Sequence, residues 1–523
     1  MKTISFKNFR RFSEFPEFKF GDITILVGGN NAGKSTLVKA LLLLIDNLKS
    51  VNISKDFNST RLFSEMLPFR FDANGLHELK IGTYLRAITH NKEKERTSFS
   101  FSIGDKDEFE ISFELEPITK GVEKDRKEEL NTPLARMAKI SIYDKYEQMV
   151  YINDYDKATM YISFLPVDGD DTQELEIMRA SVSSLRYDLK NELDPMERND
   201  IKADIAKYTK LIKLQEAQLR PGRRAQNFEF ATADARNMLT GTETHSALAQ
   251  FIENFYLMFN ALPEEVSKDK SFKNYVSKHS ASIKRSAQRL DKAISNLNIA
   301  YIKAHSISQR SQYLVDDKND HMAQAIHALA KLNIRPGSKT DRFIKNWMDE
   351  FEIGSNYSYP TSDGESYNFR ITTFDGVEEN LSDMGMGTNQ LMMLLIRLAT
   401  ILHEKKDSET ITIIIEEPEQ NLHPKIQSRL ANLFYKLATK NNCKFLIETH
   451  SEYLIRNTQV IVAKEKLVDR YDNNPFKVYY FPNESIPYDM GFQKNGKFIE
   501  DFGPGFFDVA DKAVEDLYDY DEV

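Results

Sequence analysis

The fold is decided by residues 23–36, which read Ile23-Thr24-Ile25-Leu26-Val27-Gly28-Gly29-Asn30-Asn31-Ala32-Gly33-Lys34-Ser35-Thr36. The β-branched apolar run at 23–27 predicts a buried strand, and a helical stretch follows from 37 to about 48. Gly28, Gly33, Lys34 and Ser35 have the spacing of a phosphate-binding loop. A chance match is the alternative, but the strand–loop–helix context that such a loop requires is also present. The segment therefore predicts a site for a nucleoside triphosphate.

The chemistry of this loop follows from its residue types. Glycines let backbone N–H groups curl around phosphate oxygens, and the start of a helix adds a favourable dipole. We expect Lys34 to place its charge at the β- and γ-phosphates and the Ser35 hydroxyl to bind Mg²⁺. The loop residues predicted to hold the nucleotide are Gly28, Asn30, Asn31, Ala32, Gly33, Lys34, Ser35 and Thr36.

A second cluster of candidate residues lies in the C-terminal half. The continuous apolar run at 411–415 predicts a strand buried on both faces, and it ends in Glu416-Glu417-Pro418-Glu419. Carboxylates at the C-terminal end of a central strand lie where a parallel sheet holds its ligand. We expect Glu416 to help bind Mg²⁺ through water, and Glu417 to orient the attacking water or accept its proton. A solvated acidic turn is the alternative.

Two further segments extend the candidate site. Residues 444–448 predict another buried strand, and His450, which follows it, is expected to reach the γ-phosphate. A purely structural histidine is the alternative. Gly385 and Gly387 precede a helix predicted from about 390 to 404, where glycines favour a second anion-binding helix N-terminus. An ordinary glycine-rich helix entry is the alternative.

These motifs, in this order, resemble the ABC-type ATPase heads of SMC, RecF and OLD-like proteins. The phosphate loop is followed by Leu381-Ser382-Asp383-Met384-Gly385-Met386-Gly387, by the four residues from Glu416 and by Glu448-Thr449-His450-Ser451. The sequences of residues 416–424 and 447–453 are similar to those of the stand-alone ATPases of bacterial anti-phage systems, of the Septu- and retron-associated type. The resemblance covers 1–36 and 380–451. The segment 381–387 corresponds to the ABC signature motif, and it departs from the transporter form Leu-Ser-Gly-Gly-Gln. Glu416 stands where most members of the family have an aspartate after the buried strand.

The resemblance implies a fold class, cofactors and partners. The fold implied is α/β: an ABC-type ATPase head with a mixed central sheet, flanking helices and an antiparallel β subdomain, carrying a helical or short coiled-coil insertion. In that family two heads sandwich two ATP molecules with Mg²⁺. Expected partners are a second copy of this chain, in a homodimer or higher oligomer, and a separate effector that is a nuclease or toxin. DNA stays open as a partner, and no membrane is expected. The signature residues that would face the other subunit's site are Ser382, Gly385 and Gly387.

The resemblance also gives roles to residues outside these motifs. Residues 421–424 would sense the partner subunit. Arg10 or Arg11 would touch the adenine or its phosphates, with a surface charge as an equal alternative. Gln148 lies in the broad region of the metal-contacting glutamine of the family, but the sequence does not assign that role.

The chain divides into four expected segments. Residues 1–170 form the N-terminal half of the head, with antiparallel strands at 98–103, 109–115, 139–143 and 160–164. Residues 171–300 form a helical insertion with a short coiled-coil hairpin broken at Asp194-Pro195, either packed on the head or serving as an interaction arm. Residues 301–460 complete the head, and 461–523 form a β/acidic tail. The arginines at 220, 223 and 224 either contact nucleic-acid phosphates or a partner's acidic face, or form a solvated turn.

Composition and charge exclude several classes of protein. The 523 residues carry 70 basic and 79 acidic side chains, so a uniformly basic nucleic-acid-coating protein is excluded. The single cysteine, Cys443, forms neither an internal disulfide nor a thiolate zinc site. No apolar run matches a signal peptide or a bilayer span. We therefore expect a cytoplasmic protein.

Three functions stay open from the sequence. The leading hypothesis is an ATP-hydrolysing ABC-type protein that dimerises on ATP and serves as sensor or scaffold for a separate effector in anti-phage defence. The segment after His450 is too short for the Toprim nuclease domain of OLD nucleases, so we expect the effector to be another chain. The alternatives are a RecF/SMC-like DNA-repair ATPase that clamps DNA, and a scaffold that holds ATP with little turnover.

Overall fold

The computed structural model describes residues 1–50, 69–71, 81–92, 95–104, 108–117, 132–154, 159–164, 226–231, 270–304, 309–468, 474–483, 485–503 and 506–520, with the single residues 202, 205 and 209. The predicted helical hairpin around 194–195 and the arginines at 220, 223 and 224 lie outside the described residues. The boundaries of the four segments expected from the sequence, 1–170, 171–300, 301–460 and 461–523, also stay predictions.

Strands dominate the N-terminal half. In chain order its elements are β1 (Thr3–Phe9), β2 (Phe12–Lys19), β3 (Ile23–Gly28), α1 (Lys34–Ser50), β4 (Phe69–Arg70), α2 (Tyr84–Ala87), β5 (Thr97–Ile103), β6 (Phe109–Pro117), β7 (Leu134–Asp144), β8 (Met149–Asp154), β9 (Thr159–Phe164) and β10 (Gln226–Ala231). Helix α1 begins at Lys34, three residues before the predicted start, because the last phosphate-loop residues form its first turn.

Helices are more frequent in the C-terminal half. In chain order its elements are α3 (Lys270–Ser295), β11 (Asn298–Ile302), β12 (Tyr313–Leu314), α4 (His321–Lys331), α5 (Lys339–Glu350), β13 (Asn356–Ser358), β14 (Thr361–Ser362), β15 (Ser366–Tyr367), β16 (Arg370–Thr372), β17 (Glu378–Asn380), α6 (Met386–Glu404), β18 (Ile411–Glu416), α7 (Pro424–Asn441), β19 (Cys443–Thr449), α8 (Glu452–Lys464), β20 (Phe476–Phe481), β21 (Tyr488–Asp489) and α9 (Val509–Tyr520). A short 3₁₀ turn at Leu381–Asp383 precedes α6.

The central sheet has the strand order β11-β18-β19-β3-β20-β21. The first five strands are parallel and β21 is antiparallel, so the sheet is mixed, as predicted. The middle strands are nearly continuous apolar runs because helices or other strands cover both faces of the sheet. Their carboxyl ends therefore meet at one edge, where the chain segments after β3, β18 and β19 lie side by side.

An antiparallel sheet packs beside the central sheet and confirms the predicted β subdomain. Its strand order is β10-β9-β8-β7-β6-β5-β1-β2, and β4 pairs with β7. All four strands predicted at 98–103, 109–115, 139–143 and 160–164 are present. Strands β8 and β10 were not predicted. Strand β10 lies within the segment 171–300 that the sequence suggests to be helical, and its pairing with β9 makes it part of this sheet.

Two hydrophobic cores cover the two faces of the central sheet. One contains α1, α3 and the inner face of the antiparallel sheet, with Leu26, Ile414 and Leu446 from the central strands. The other contains α4 to α8 together with Ile25 and Ile447. Alternate residues of each central strand thus enter opposite cores, as strand pleating requires. The α/β fold class predicted from the sequence is confirmed by this arrangement.

The C-terminal segment takes part in the main fold. Strand β20 pairs in parallel with β3, so it lies next to the strand that leads into the phosphate loop. Part of the predicted acidic tail forms helix α9, whose residues 512–517 are exposed. Over the ranges given above, we find no helix with the length and apolar character needed to span a bilayer.

Arg289 joins α3 to the antiparallel sheet. Its guanidinium forms ion pairs with Glu108, Asp144 and Glu147, and the Asp144 side chain is fully buried. Burial lowers the pKa of Arg289, but the three carboxylates together raise it above its ordinary value. The charged form is therefore well stabilised, and the cation compensates a buried carboxylate.

We expect Arg289→Ala to lower the free energy of unfolding by about 3 kcal/mol, because it removes the cation from beside a buried carboxylate. Arg285→Ala is the matched control, since Arg285 is on the same helix and bonds Glu147 but is more than half exposed. Its loss should stay below about 1 kcal/mol. Urea denaturation followed by circular dichroism measures both. Equal losses in the two variants would contradict a special role for Arg289.

Candidate nucleotide-binding site

A cavity of about 520 Å³ opens at the start of α1. Phosphate-loop residues form one wall, and the other lining side chains come from α1, the β1–β2 turn, α2 and the residues after it, and β19. Among the described residues that line the cavity, Glu448 is the only carboxylate. The lining residues are Arg10, Arg11, Asn31, Ala32, Gly33, Lys34, Ser35, Thr36, Lys39, Arg86, Ile88, His90 and Glu448. The cavity is therefore strongly cationic.

The phosphate loop needs glycine at two of its positions. Gly33 has a φ of +108°, and a Cβ there would lie 2.5 Å from the ring of Phe12. A Cβ on Gly28 would lie 2.3 Å from the carbonyl oxygen of Phe481, which belongs to the neighbouring strand β20. Both positions therefore exclude any larger residue. The requirement for glycine at these two positions therefore comes from packing within the protein as well as from the close approach of a ligand to the loop backbone.

Lys34 is buried at the first position of α1. Its Nζ donates hydrogen bonds to the carbonyl oxygens of Gly28 at 2.8 Å and Gly29 at 3.0 Å. The same nitrogen lies 4.0 Å from Oε1 of Glu448. Burial lowers the pKa of Lys34, and three nearby carboxylates, Glu448 foremost, only partly offset this effect. The ammonium is held inside the loop, next to the cavity.

Glu448 is a site residue that the sequence analysis quoted without giving it a role. The Ser35 hydroxyl lies 2.9 Å from its Oε1 and 3.1 Å from its Oε2, to which it donates. Burial raises the pKa of Glu448 to about 7, while Lys34 and Ser35 act in the opposite direction. The sequence did contain an indication of this role, since burial of a carboxylate near the end of an apolar strand costs free energy unless the carboxylate has polar partners.

Glu416 lies beside Glu448 but has other partners. The two residues are in register on β18 and β19. The hydroxyl of Tyr301 on β11 donates to Glu416 Oε1 at 2.7 Å, and the N–H of Ala304 donates to Oε2 at 3.4 Å. Glu416 is not among the residues that line the cavity. Sequence reasoning did not find the Tyr301 contact because it depends on the pairing of β11 with β18.

Glu417 follows strand β18 in a left-handed conformation, with a φ of +44°. Such a conformation is uncommon for a residue with a side chain and is found at sites that the surrounding structure holds in place. Here the Glu417 N–H donates to the carbonyl oxygen of Glu448 at 2.7 Å. After Glu448, Glu417 is the next carboxylate whose charge raises the pKa of Lys34.

His450 is positioned through its backbone by Glu419. The N–H of His450 donates to Glu419 Oε1 at 2.6 Å, and Glu419 is almost completely buried. Partial loss of hydration and the charge of Lys34 lower the pKa of His450. Its ring is therefore predominantly neutral at neutral pH. Glu419 is the second site residue that the sequence analysis quoted without a role.

The signature residues lie away from the cavity. Ser382 bonds within its own turn, to Asn380 and Asp383, and Gly385 is the exposed N-cap of α6. Gly387 lies inside the helix rather than ahead of it, because α6 starts at Met386 and not near 390. A Cβ on Gly387 would lie 2.8 Å from the carbonyl oxygen of Asn421, so this glycine allows close packing within the chain.

The two N-terminal arginines have different surroundings. Arg11 donates to the backbone carbonyls of Asn31 and Asn483, so it ties the phosphate loop to the segment after β20. The buried Nε of Arg10 has no hydrogen-bond partner among the described residues. Gln148 bonds within the β7–β8 turn, to Lys145 and Tyr143, and does not line the cavity.

One match to a family of proteins extends over most of the chain. A family model described as an AAA ATPase domain matches residues 1–455. The chain belongs to this AAA ATPase domain family. The match begins ahead of the phosphate loop and ends just after His450, so it includes both halves of the candidate site. No curated protein matches this chain.

Solved structures that match the chain include two SMC head domains. The Smc head domain from Pyrococcus furiosus, with an extended coiled coil and bound to the C-terminal domain of ScpA, is 12% identical, with 99% of this chain and 98% of that chain covered and a TM-score of 0.32. The SMC head domain from Thermotoga maritima is 9% identical, with 94% and 98% covered and a TM-score of 0.33. Both TM-scores are low, so the fold assignment rests on the sheet topology described above.

The raised pKa of Glu448 makes the stability of the nucleotide-free protein depend on pH. In the folded protein the carboxyl keeps its proton up to about pH 7, whereas in the unfolded chain it ionises near the ordinary value of 4.5. The folded state thus binds more protons in this window, and stability falls as the pH rises through it. Relative to Glu448→Gln, the wild type should lose up to about 3 kcal/mol of unfolding free energy across the window. Urea denaturation at several pH values measures this. A wild-type-to-variant difference that does not change with pH would refute the expectation.

Proposed function

We propose that this AAA ATPase domain binds ATP with Mg²⁺ in the cavity at the start of α1 and hydrolyses it. The observation that carries the proposal is the meeting of Lys34, Ser35 and Glu448 in a cavity otherwise lined by cations and neutral groups. A triphosphate carries the negative charge that this set of side chains lacks. The helix N-terminus and the loop N–H groups favour the same ligand.

The cations around the cavity fit an anionic nucleotide. Burial lowers the pKa of Arg10, and Arg86 lowers it further. Burial also lowers the pKa of Lys39, with Arg10 as the next cause. A phosphate group between these side chains would relieve their mutual repulsion. Of the two N-terminal arginines, Arg10 is the one that we assign to the nucleotide, because the Arg11 guanidinium is already bonded to backbone carbonyls.

The residues present also fit Mg²⁺ that arrives with a nucleotide. The described part of the chain has no group of three His, Cys, Asp or Glu side chains that could hold a metal ion. Magnesium is usually held by one or two protein oxygens together with substrate phosphates, so such a group is not required. Ser35 and a nearby carboxylate are sufficient. When bound, the ion neutralises charge that develops on the phosphates.

Hydrolysis needs a group that positions water and a group that recognises the terminal phosphate. We assign the first role to Glu417, whose N–H is hydrogen-bonded to the backbone of Glu448, the residue whose carboxylate lies 4.0 Å from Lys34. We assign the second to His450, whose neutral ring can donate one hydrogen bond. Positioning by Glu419 supports this assignment because it leaves the His450 ring exposed at the sheet edge.

We further propose that ATP joins two copies of the chain. Ser382 and Gly385 do not line the cavity of their own chain, and Gly385 is exposed at the N-terminus of α6. That free N-terminus suits a phosphate held by another subunit. Gly387 would act through the close packing of α6 on Asn421, an exposed residue of the segment 421–424 that the resemblance assigns to partner sensing. A ligand shared by two copies would stabilise the dimer by mass action.

The biological role that we propose is control of a separate effector, a nuclease or toxin, in bacterial anti-phage defence. The support is the resemblance of residues 416–424 and 447–453 to ATPases of such systems. ATP-dependent dimerisation would then serve as the signal that the effector reads. Co-purification of the chain with the product of a neighbouring gene tests this role, and ATPase activity stimulated only by DNA would contradict it.

Replacing Lys34 with alanine should weaken ATP binding by at least about 100-fold, because a buried charge–phosphate interaction is lost. Titration with a fluorescent ATP analogue measures the affinity. Lys7→Ala is the control, since Lys7 is an exposed lysine on β1 that pairs with Glu14. Its affinity should equal that of the wild type. Full retention of binding by Lys34→Ala would overturn the site.

Glu417→Gln should keep ATP affinity within about threefold and reduce phosphate release by about 10² to 10⁴, because the glutamine is a far weaker proton acceptor. The variant should also accumulate ATP-bound dimers, seen by size-exclusion chromatography. Glu114→Gln, on the exposed face of β6, is the control and should hydrolyse ATP normally. Unchanged phosphate release by Glu417→Gln would reject the role that we assign to Glu417.

A further inference from the structure

We propose that Glu448 binds Mg²⁺ directly together with Ser35, in the position that the sequence suggests for Glu416. The inference rests on the proposed function, because Mg²⁺ enters this site with ATP. It identifies a metal ligand on β19, the strand that precedes His450, instead of on β18, the strand that precedes Glu417.

The first argument is contact with the hydroxyl that phosphate loops use for magnesium. Both carboxylate oxygens of Glu448 are within 3.1 Å of Ser35 Oγ. Two oxygen-bearing side chains at this separation can share one small cation. Among the lining residues that the structure describes, no other carboxylate faces the cavity. Glu448 is thus the cavity-lining carboxylate that contacts the hydroxyl expected to bind the metal.

The second argument is that both carboxylate oxygens of Glu416 already accept hydrogen bonds within the protein. One of its oxygens accepts from the Tyr301 hydroxyl, and the other from the Ala304 N–H. Glu416 would have to give up both contacts to bind the metal directly. We therefore expect Glu416 to lie near the metal ion without binding it directly.

The third argument comes from the strand order. Strand β19 is the immediate neighbour of β3, which leads into the phosphate loop, whereas β18 is one strand farther away. Glu448 is in register with Leu26 of β3 on one side and with Glu416 on the other. Adjacent strands are about 4.8 Å apart. The backbone of Glu416 is therefore farther from the phosphate loop than that of Glu448 by about this spacing.

The chemistry agrees with this placement. A carboxylate needs a positive charge to remain ionised in a buried site. Lys34, at 4.0 Å, supplies part of that charge in the nucleotide-free protein. A divalent cation would supply more, while Lys34 turns to the phosphates. Glu448 then has a distinct partner in each state.

The test compares how much Mg²⁺ each variant needs to bind a nucleotide. A fluorescent, non-hydrolysable ATP analogue is held at fixed concentration, and Mg²⁺ is titrated into wild type, Glu448→Gln and Glu416→Gln at about pH 8. We expect the half-saturating Mg²⁺ concentration to rise at least about tenfold in Glu448→Gln, and to rise less in Glu416→Gln than in Glu448→Gln. In EDTA, Glu448→Gln should bind the analogue at least as well as the wild type, because the substitution removes a carboxylate that repels the phosphates when no cation is present. Glu448→Asp, which keeps the charge on a shorter side chain, should give an intermediate value.

The outcomes separate the inference from the function on which it rests. An unchanged Mg²⁺ requirement in Glu448→Gln would overturn the inference, and so would a larger effect in Glu416→Gln. Loss of binding by Glu448→Gln in EDTA would also overturn it, because Glu448 would then support Lys34 rather than the metal. If the wild type binds no nucleotide in either condition, the proposed function itself fails. Circular dichroism spectra of all variants confirm that each is folded.

Discussion

The register of the parallel strands β18, β19, β3 and β20 is the constraint on which the rest of the structure depends. Each strand is buried on both faces, so its apolar residues fix which side chains enter which core. A slip of one residue in β19 would send Glu448 to the opposite face and separate it from Ser35. The correct register brings Lys34, Glu417 and His450, which are far apart in sequence, to one edge of the sheet.

Burial of charge at this edge explains why the site suits a charged ligand. Lys34 and Glu448 are both largely removed from water, and burial shifts the pKa of each towards its neutral form. Arg10 and Lys39 add further positive charge without an equal number of carboxylates. An arrangement of this kind is stabilised when a polyanion and its metal ion bind, because they supply charges that the protein alone does not balance.

The same edge is also connected to helix α3, which lies within the segment 171–300. Arg289 on α3 bonds to carboxylates of the antiparallel sheet, and the next element, β11, carries Tyr301, whose hydroxyl bonds Glu416. Helix α3 and the strand that follows it thus contact both the β subdomain and the edge of the central sheet that carries Glu416. Neither contact is visible in the sequence, since Arg289 and Tyr301 occur in segments without a recognisable motif.

Local sequence was enough to determine the phosphate loop, the apolar strands and the carboxylates after 415, because each depends on glycine conformation or on the periodicity of a single element. Only the tertiary structure decided that β20 borders β3, that Glu448 meets Ser35, and that Glu416 is bonded to Tyr301. These contacts depend on the order in which distant strands pair. Strand order is set by the packing of whole faces against one another, and a linear pattern of residue types does not encode it in any one segment.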